Sequence, residues 1–143
     1  MSTAPGRALG LDLGTVRIGV AVSDDARTVA TPLEVIDRKD RQRADRQLAS
    51  LVDEWEITTV VVGLPLHLNG SKGATVGFVE KEIRRLGATL PVPIVTYDER
   101  LTSVTAHRSL SEQNLSAREQ RNVVDMVAAA VILQGWMEST HDD

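Results

Sequence analysis

The stretch Ala8-Leu9-Gly10-Leu11-Asp12-Leu13-Gly14-Thr15-Val16-Arg17-Ile18-Gly19-Val20-Ala21-Val22-Ser23-Asp24 decides the fold. Ala8 to Leu13 is a short apolar run that reads as a strand. Gly14 and Thr15 turn the chain, and Ile18 to Val22 returns as a second strand ended by Ser23, Asp24 and Asp25. Thr28 to Ile36 reads as a third strand, with Pro32 placing part of it at an edge or a bend. These segments are too close together for helical crossovers, so they predict an antiparallel meander.

Beyond the meander the period changes. From Asp40 to Trp55 the apolar residues Ala44, Leu48, Leu51, Val52 and Trp55 recur at helical spacing. Thr58 to Val62 is a β-branched run of the kind buried on both faces of a sheet, closed by Gly63, Leu64 and Pro65. Gly70 to Gly73 reads as a loop. Val76, Val79, Ile83 and Leu86 mark a second helix, with Gly87 where a C-cap is expected. Val92 to Tyr97 is a further strand, and a short helix is expected over Ser103 to Leu110. Ser116 and Glu119 have capping-box spacing before a last helix running to about Met137. Its middle, Val123 to Leu133, is apolar almost all round and predicts deep packing. Right-handed crossovers make the strands near 8, 58 and 92 parallel neighbours. The expectation is an α/β chain in a single domain over 1–143, core about 8–137, with a five-stranded mixed sheet flanked by helices.

Composition narrows the chemistry. The chain has 143 residues and no cysteine, which excludes disulfides, thiolate zinc sites and cysteine nucleophiles. Aromatics are 3%, so aliphatic side chains must fill the core, and binding of single strands by stacking is disfavoured. Met1 to Gly6 lack the apolar core of a signal peptide, and no apolar run is long enough for a bilayer. A cytoplasmic protein with no membrane contact is expected. A net charge of −4 does not by itself suggest a polyanionic partner. The basic residues Arg38, Lys39, Arg41, Arg43 and Arg46 are interleaved with Asp40 and Asp45, as on a solvated helix face.

In an open parallel sheet, ligands bind outside the carboxyl ends of the strands. Those ends carry Asp12, the Gly63 to Pro65 segment, and Asp98 with Glu99. Asp125 stands in an otherwise apolar helix, where an unpaired acid is costly. It must lie at the helix edge, pair with a cation such as Arg121, or bind a metal. Ala128, Ala129 and Ala130 would let this helix approach the sheet. Carboxylates brought together repel, and a divalent cation relieves that repulsion. Oxygen ligands suit Mg2+ or Mn2+, which activate water and stabilise the leaving oxygen of a phosphodiester. His67 and His107 have no metal-ligand spacing, and Trp55 and Trp136 read as core anchors.

These residues resemble the YqgF (RuvX-like) family of Holliday junction resolvases, also described as pre-16S rRNA processing nucleases. The resemblance runs over about Ala8 to Met137. It rests on Gly10 to Thr15, Arg17 to Asp24, Val62 to Leu66, Asn69 to Ser71, Asp98 to Ser103 and Val124-Asp125. It implies a ribonuclease H-like fold and a metal-dependent nuclease with Asp12, Glu99 and Asp125 as catalytic and metal-binding acids, Asp98 being the alternative to Glu99. Thr15, Arg17, Asn69, Ser71, Arg100, Thr102 and Arg121 are the expected substrate contacts. The family often has a lysine just ahead of the helix acid, where this chain has Arg121 and Asn122. The implied partner is nucleic acid, an rRNA precursor or branched DNA, cut by a monomer or a homodimer. Two other readings stand beside it. A nucleic-acid-binding ribosome-assembly factor without catalysis would keep the fold. An actin-like ATPase or sugar kinase shares the Asp12 to Thr15 pattern, but it needs a second lobe that 143 residues cannot supply.

Overall fold

The computed structural model describes residues 4–66, 73–102 and 118–141. β1 (Ala8–Leu13), β2 (Arg17–Ser23) and β3 (Ala30–Asp37) form the expected meander. α1 (Arg41–Glu54), β4 (Thr59–Leu64), α2 (Ala74–Gly87) and β5 (Ile94–Asp98) follow, then a 3-10 turn (Glu99–Leu101) and α3 (Arg118–His141). The sheet order is β3-β2-β1-β4-β5, with β4 parallel to both β1 and β5. This is the ribonuclease H-like arrangement. Pro32 lies on the edge strand opposite Ala21, beside the register shift between Val20 and Ala21. Both positions tolerate a missing N–H.

The two faces of the sheet differ in residue size. Leu9, Leu11, Val20, Val22, Val60 and Val62 point one way and pack under α1 and α2, with Leu48, Val79 and Leu86 among the helix residues. Ala8, Ala21 and Val61 point the other way, against Ala128, Ala129, Ile132, Leu133 and Met137 of α3. Strand alternation produces this division, because successive side chains leave opposite faces. The large residues support two helices, whereas the small ones let one helix sit close. Each fully buried aliphatic side chain contributes roughly 1.5–3 kcal/mol.

Several expectations need correction. Gly87 is the last residue of α2, and the C-cap is Ala88 in right-handed helical conformation, so no left-handed glycine closes this helix. Instead Thr89 and Leu90 donate their N–H groups to the Leu86 carbonyl. α3 runs beyond Met137 to His141. Its early part is not packed all round: Val123 is 52% exposed, and burial is confined to the face that meets the sheet. Trp55 and Trp136 are half-buried at the margins of the two cores, with Arg7 and Arg27 over their rings. The helix expected over Ser103 to Leu110, the loop from Gly70 and the Ser116 cap lie outside the described residues. No helix among the described residues is long and apolar enough to cross a membrane.

Candidate active site

Alternation along β1 puts Asp12 on the same face as Ala8 and Gly10, the face covered by α3. Its cross-strand partner is Gly19 of β2. A Cβ on Gly19 would stand 2.1 Å from the Asp125 carbonyl oxygen, so the missing side chain is what lets α3 come down beside Asp12. Gly10 does the same further along, where a Cβ would meet the Ala129 carbonyl oxygen at 2.9 Å.

Glu99 arrives from the far side of the sheet. Asp98 ends β5 and caps the 3-10 turn by accepting the Arg100 N–H at 2.9 Å. The Arg100 guanidinium, 2.6 Å from the Asp98 carboxylate, holds that carboxyl below its ordinary pKa. Thr102 closes the turn, donating both its N–H and its hydroxyl to the Glu99 carbonyl. Glu99 itself is 4% exposed and lies over Gly63, where a Cβ would stand 3.1 Å from its Oε2. Glu99 enters the cleft, and Asp98 belongs to Arg100.

Asp125 sits on α3 with Arg17 as its cation. Arg17 Nε donates to Asp125 Oδ2 at 2.6 Å. Arg121, the cation suggested by proximity in sequence, is exposed. The turn that carries Arg17 is itself braced. Gly14 N–H donates to the Arg17 carbonyl at 2.9 Å, and Arg38 donates its Nη1 to the Gly14 carbonyl at 2.8 Å. Arg38 is buried, ion-paired with Glu82 and placed over the Phe78 ring. Burial, then the neighbouring Arg85 and Arg41, pull its guanidinium below the ordinary arginine pKa.

Asp12, Glu99 and Asp125 thus line one cleft of about 210 Å³ together with Gly14, Gly63, Pro65, Thr75 and Val124. Thr75, in the first turn of α2, was not singled out from the sequence, where only its place after the Gly70 to Gly73 segment marks it. Thr15 is exposed on the β1–β2 turn. Asn69 and Ser71 lie outside the described residues. Asp24 is a turn residue as expected. It accepts from the Thr28 hydroxyl and from the Thr28 and Val29 N–H groups, which lower its pKa to about 2.

The donor set suits a hard divalent cation, since it offers only carboxylate oxygens from three elements. Gly63 leaves the space that Glu99 fills. Asn122, one helical turn before Asp125, keeps its Oδ1 buried with no hydrogen-bond partner among the described residues. No three His, Cys, Asp or Glu side chains among the described residues stand close enough to enclose one ion. The fit is therefore to an open site, in which one or two carboxylates hold the ion and waters and a phosphate complete its shell.

The sheet order, the single helix on its small-residue face and the acids at the strand ends define a ribonuclease H-like domain. The chain belongs to the RuvX family, described as Holliday junction resolvase, whose model matches residues 6–139. A relative from Anaeromyxobacter sp. (strain Fw109-5) is 45% identical over 135 residues, covering 94% of this chain and 98% of its own; its provisional name is pre-16S rRNA nuclease. One from Rhodococcus jostii (strain RHA1) with the same provisional name is 44% identical, covering 93% of this chain and 78% of its own. Among solved structures, T. thermophilus RuvC in complex with a Holliday junction substrate superposes with a TM-score of 0.59 at 16% identity. That match covers 94% of this chain and 95% of RuvC, and the likeness is one of fold. Family membership makes this chain a nucleic-acid-hydrolysing enzyme and removes the kinase reading.

Proposed function

We propose that this chain is a divalent-metal-dependent nuclease that trims the rRNA precursor of the small ribosomal subunit in the cytoplasm, with Asp12, Glu99 and Asp125 as its working acids. The observation that carries the reading is the convergence of these side chains, from β1, the turn after β5, and α3, on one cleft. The relatives' provisional names supply the substrate class. When bound, Mg2+ or Mn2+ would supply Lewis acidity and a water activated at neutral pH. One or two of these acids, Asp12 or Glu99 from the sheet side and Asp125 from the helix side, would hold an ion whose shell is completed by waters and a substrate phosphate. Thr102, whose hydroxyl donates to the Glu99 carbonyl, is assigned both to the turn that carries Glu99 and to the substrate. Thr15, Arg17 and Arg121, with Asn69, Ser71 and Arg100, are assigned to the phosphates and riboses of the substrate. A net charge of −4 leaves little long-range attraction for RNA, so local contacts of this kind must carry much of the affinity. Trimming one strand needs one copy of the chain, whereas symmetric cutting of a four-way junction would need two.

The test is cleavage of labelled rRNA precursor and of four-way junction DNA, with Mg2+ or Mn2+ and with chelator. Asp12→Asn should reduce metal-dependent cutting by at least a hundredfold while the thermal melt stays within a few degrees. Preferential cutting of the junction would favour the resolvase reading suggested by the family description. Binding without cutting of either substrate would mark an assembly factor. Undiminished cutting by the variant would overturn the site.

A further inference from the structure

The nuclease reading leaves one contact unexplained. Arg17 holds its Nε 2.6 Å from Oδ2 of Asp125, one of the acids that line the cleft, and both side chains are only partly buried. Among the described residues its two terminal nitrogens have no hydrogen-bond partner, so one edge of the guanidinium holds the acid and the other is open. An arginine edge of this kind takes a phosphate bidentately. The carboxylate it holds is one of the acids assigned to the ion.

We propose that Arg17 is a latch on Asp125, an internal counter-ion that competes with the divalent cation until a nucleic-acid phosphate takes the guanidinium. Three acids line this cleft, and Arg17 neutralises one of them. While the pair persists, Asp125 is a poor ligand because its charge is already met. A phosphate arriving on the terminal nitrogens draws the positive charge away, and Asp125 turns to the ion. Substrate and cation then each favour binding of the other by the same factor, since such coupling is reciprocal. The arrangement discourages the acids from collecting metal in the absence of substrate.

The proposal rests on the metal-nuclease reading, and its test separates the two. Mn2+ binding is measured by titration calorimetry on wild type, Arg17→Gln and Arg17→Lys, alone and with a non-cleavable phosphorothioate oligonucleotide. The turn survives either substitution, because the Gly14–Arg17 hydrogen bond is backbone to backbone and Arg38 braces it from outside. The latch predicts that Arg17→Gln binds Mn2+ about tenfold more tightly than wild type without the oligonucleotide. It also predicts that the gain conferred by the oligonucleotide shrinks in that variant, while Arg17→Lys stays near wild type. A residue that merely orients Asp125 would do the reverse, weakening Mn2+ roughly 10–100-fold on removal, and that result would overturn the latch while leaving the metal site standing. Unchanged Mn2+ affinity in Arg17→Gln would overturn it too. No Mn2+ binding by any of the proteins, with the oligonucleotide or without it, would overturn both readings.

Discussion

Gly63 carries its role through what it lacks. A Cβ there would stand 2.5 Å from Ile132 Cδ1 and 3.1 Å from Glu99 Oε2. The first neighbour is the end of a flexible side chain and can shift. The second is the carboxylate assigned to the cation, whose position matters to a fraction of an ångström. Gly63→Ala should therefore fold, with a loss of about 1–2 kcal/mol in urea unfolding. Its cleavage should slow at least tenfold in single-turnover assays, and unchanged cleavage would show that the placement of Glu99 is not critical. The sequence marks Gly63 only as one of the residues that close a strand, whereas its use here is space. That Asp12 and the Asp98–Glu99 pair share one edge of the sheet was readable, because the strand ends that carry them follow from apolar runs, but which of the two neighbouring acids faces the cleft was not. The partner of Asp125 was not. Arg17 lies 108 positions away, and no local spacing connects the two.

At the scale of elements, the helices and strands follow from periodicity, and the meander follows from connections too short for anything else. Which face α3 covers is a subtler property. The signal is the small residues Ala8 and Gly10 on β1 and Gly19 and Ala21 on β2, each pair at the strand period. Together they make a shallow track in the sheet. The alanines of α3 suggested close approach from the helix side, but the glycines of the strands contribute as much. Two alanine substitutions separate space from propensity. Gly19→Ala would drive a methyl into the Asp125 backbone, which cannot retreat without lifting α3, so a loss of about 3 kcal/mol is expected. Gly77→Ala places a methyl on the exposed side of α2, where none of the described residues lies within 4 Å, and should gain about 0.5–1 kcal/mol. Chemical denaturation of both variants checks the contrast. A Gly19→Ala protein as stable as wild type would mean that α3 does not lie on this track.

At the scale of the whole molecule, one charge cluster, with the Glu82 and Arg38 side chains buried at its centre, ties α1, α2 and the β1–β2 turn together. Glu82 of α2 is 3% exposed and faces Arg38, Arg41 and Arg85, while Arg85 reaches Asp45 of α1 at 2.6 Å. Arg38 then continues to the Gly14 carbonyl beside Asp12. The sequence reads Arg38 and Arg41 as part of a solvated basic face; Arg41 is indeed exposed, with Lys39, Arg43 and Arg46, and it is the Arg38 side chain, turned inward to Glu82, that the sequence does not reveal. Residues from separate elements meet here only because β4 brings α2 alongside α1. A buried ion pair contributes little net stability, since desolvation offsets its attraction, but removing one partner strands the other charge. Glu82→Ala leaves Arg38 buried beside two further arginines and should cost about 3–5 kcal/mol. Replacing Glu82 and Arg38 together by leucine and methionine removes both charges and should cost less than the sum of the single substitutions, by a coupling of about 1–3 kcal/mol. The double variant also frees the Gly14 turn. It should therefore be more stable than Glu82→Ala yet cleave more slowly than wild type, because the turn that carries Arg17 has lost its brace. If the double variant cleaves as fast as wild type, the cluster supports the fold alone and has no hold on the cleft.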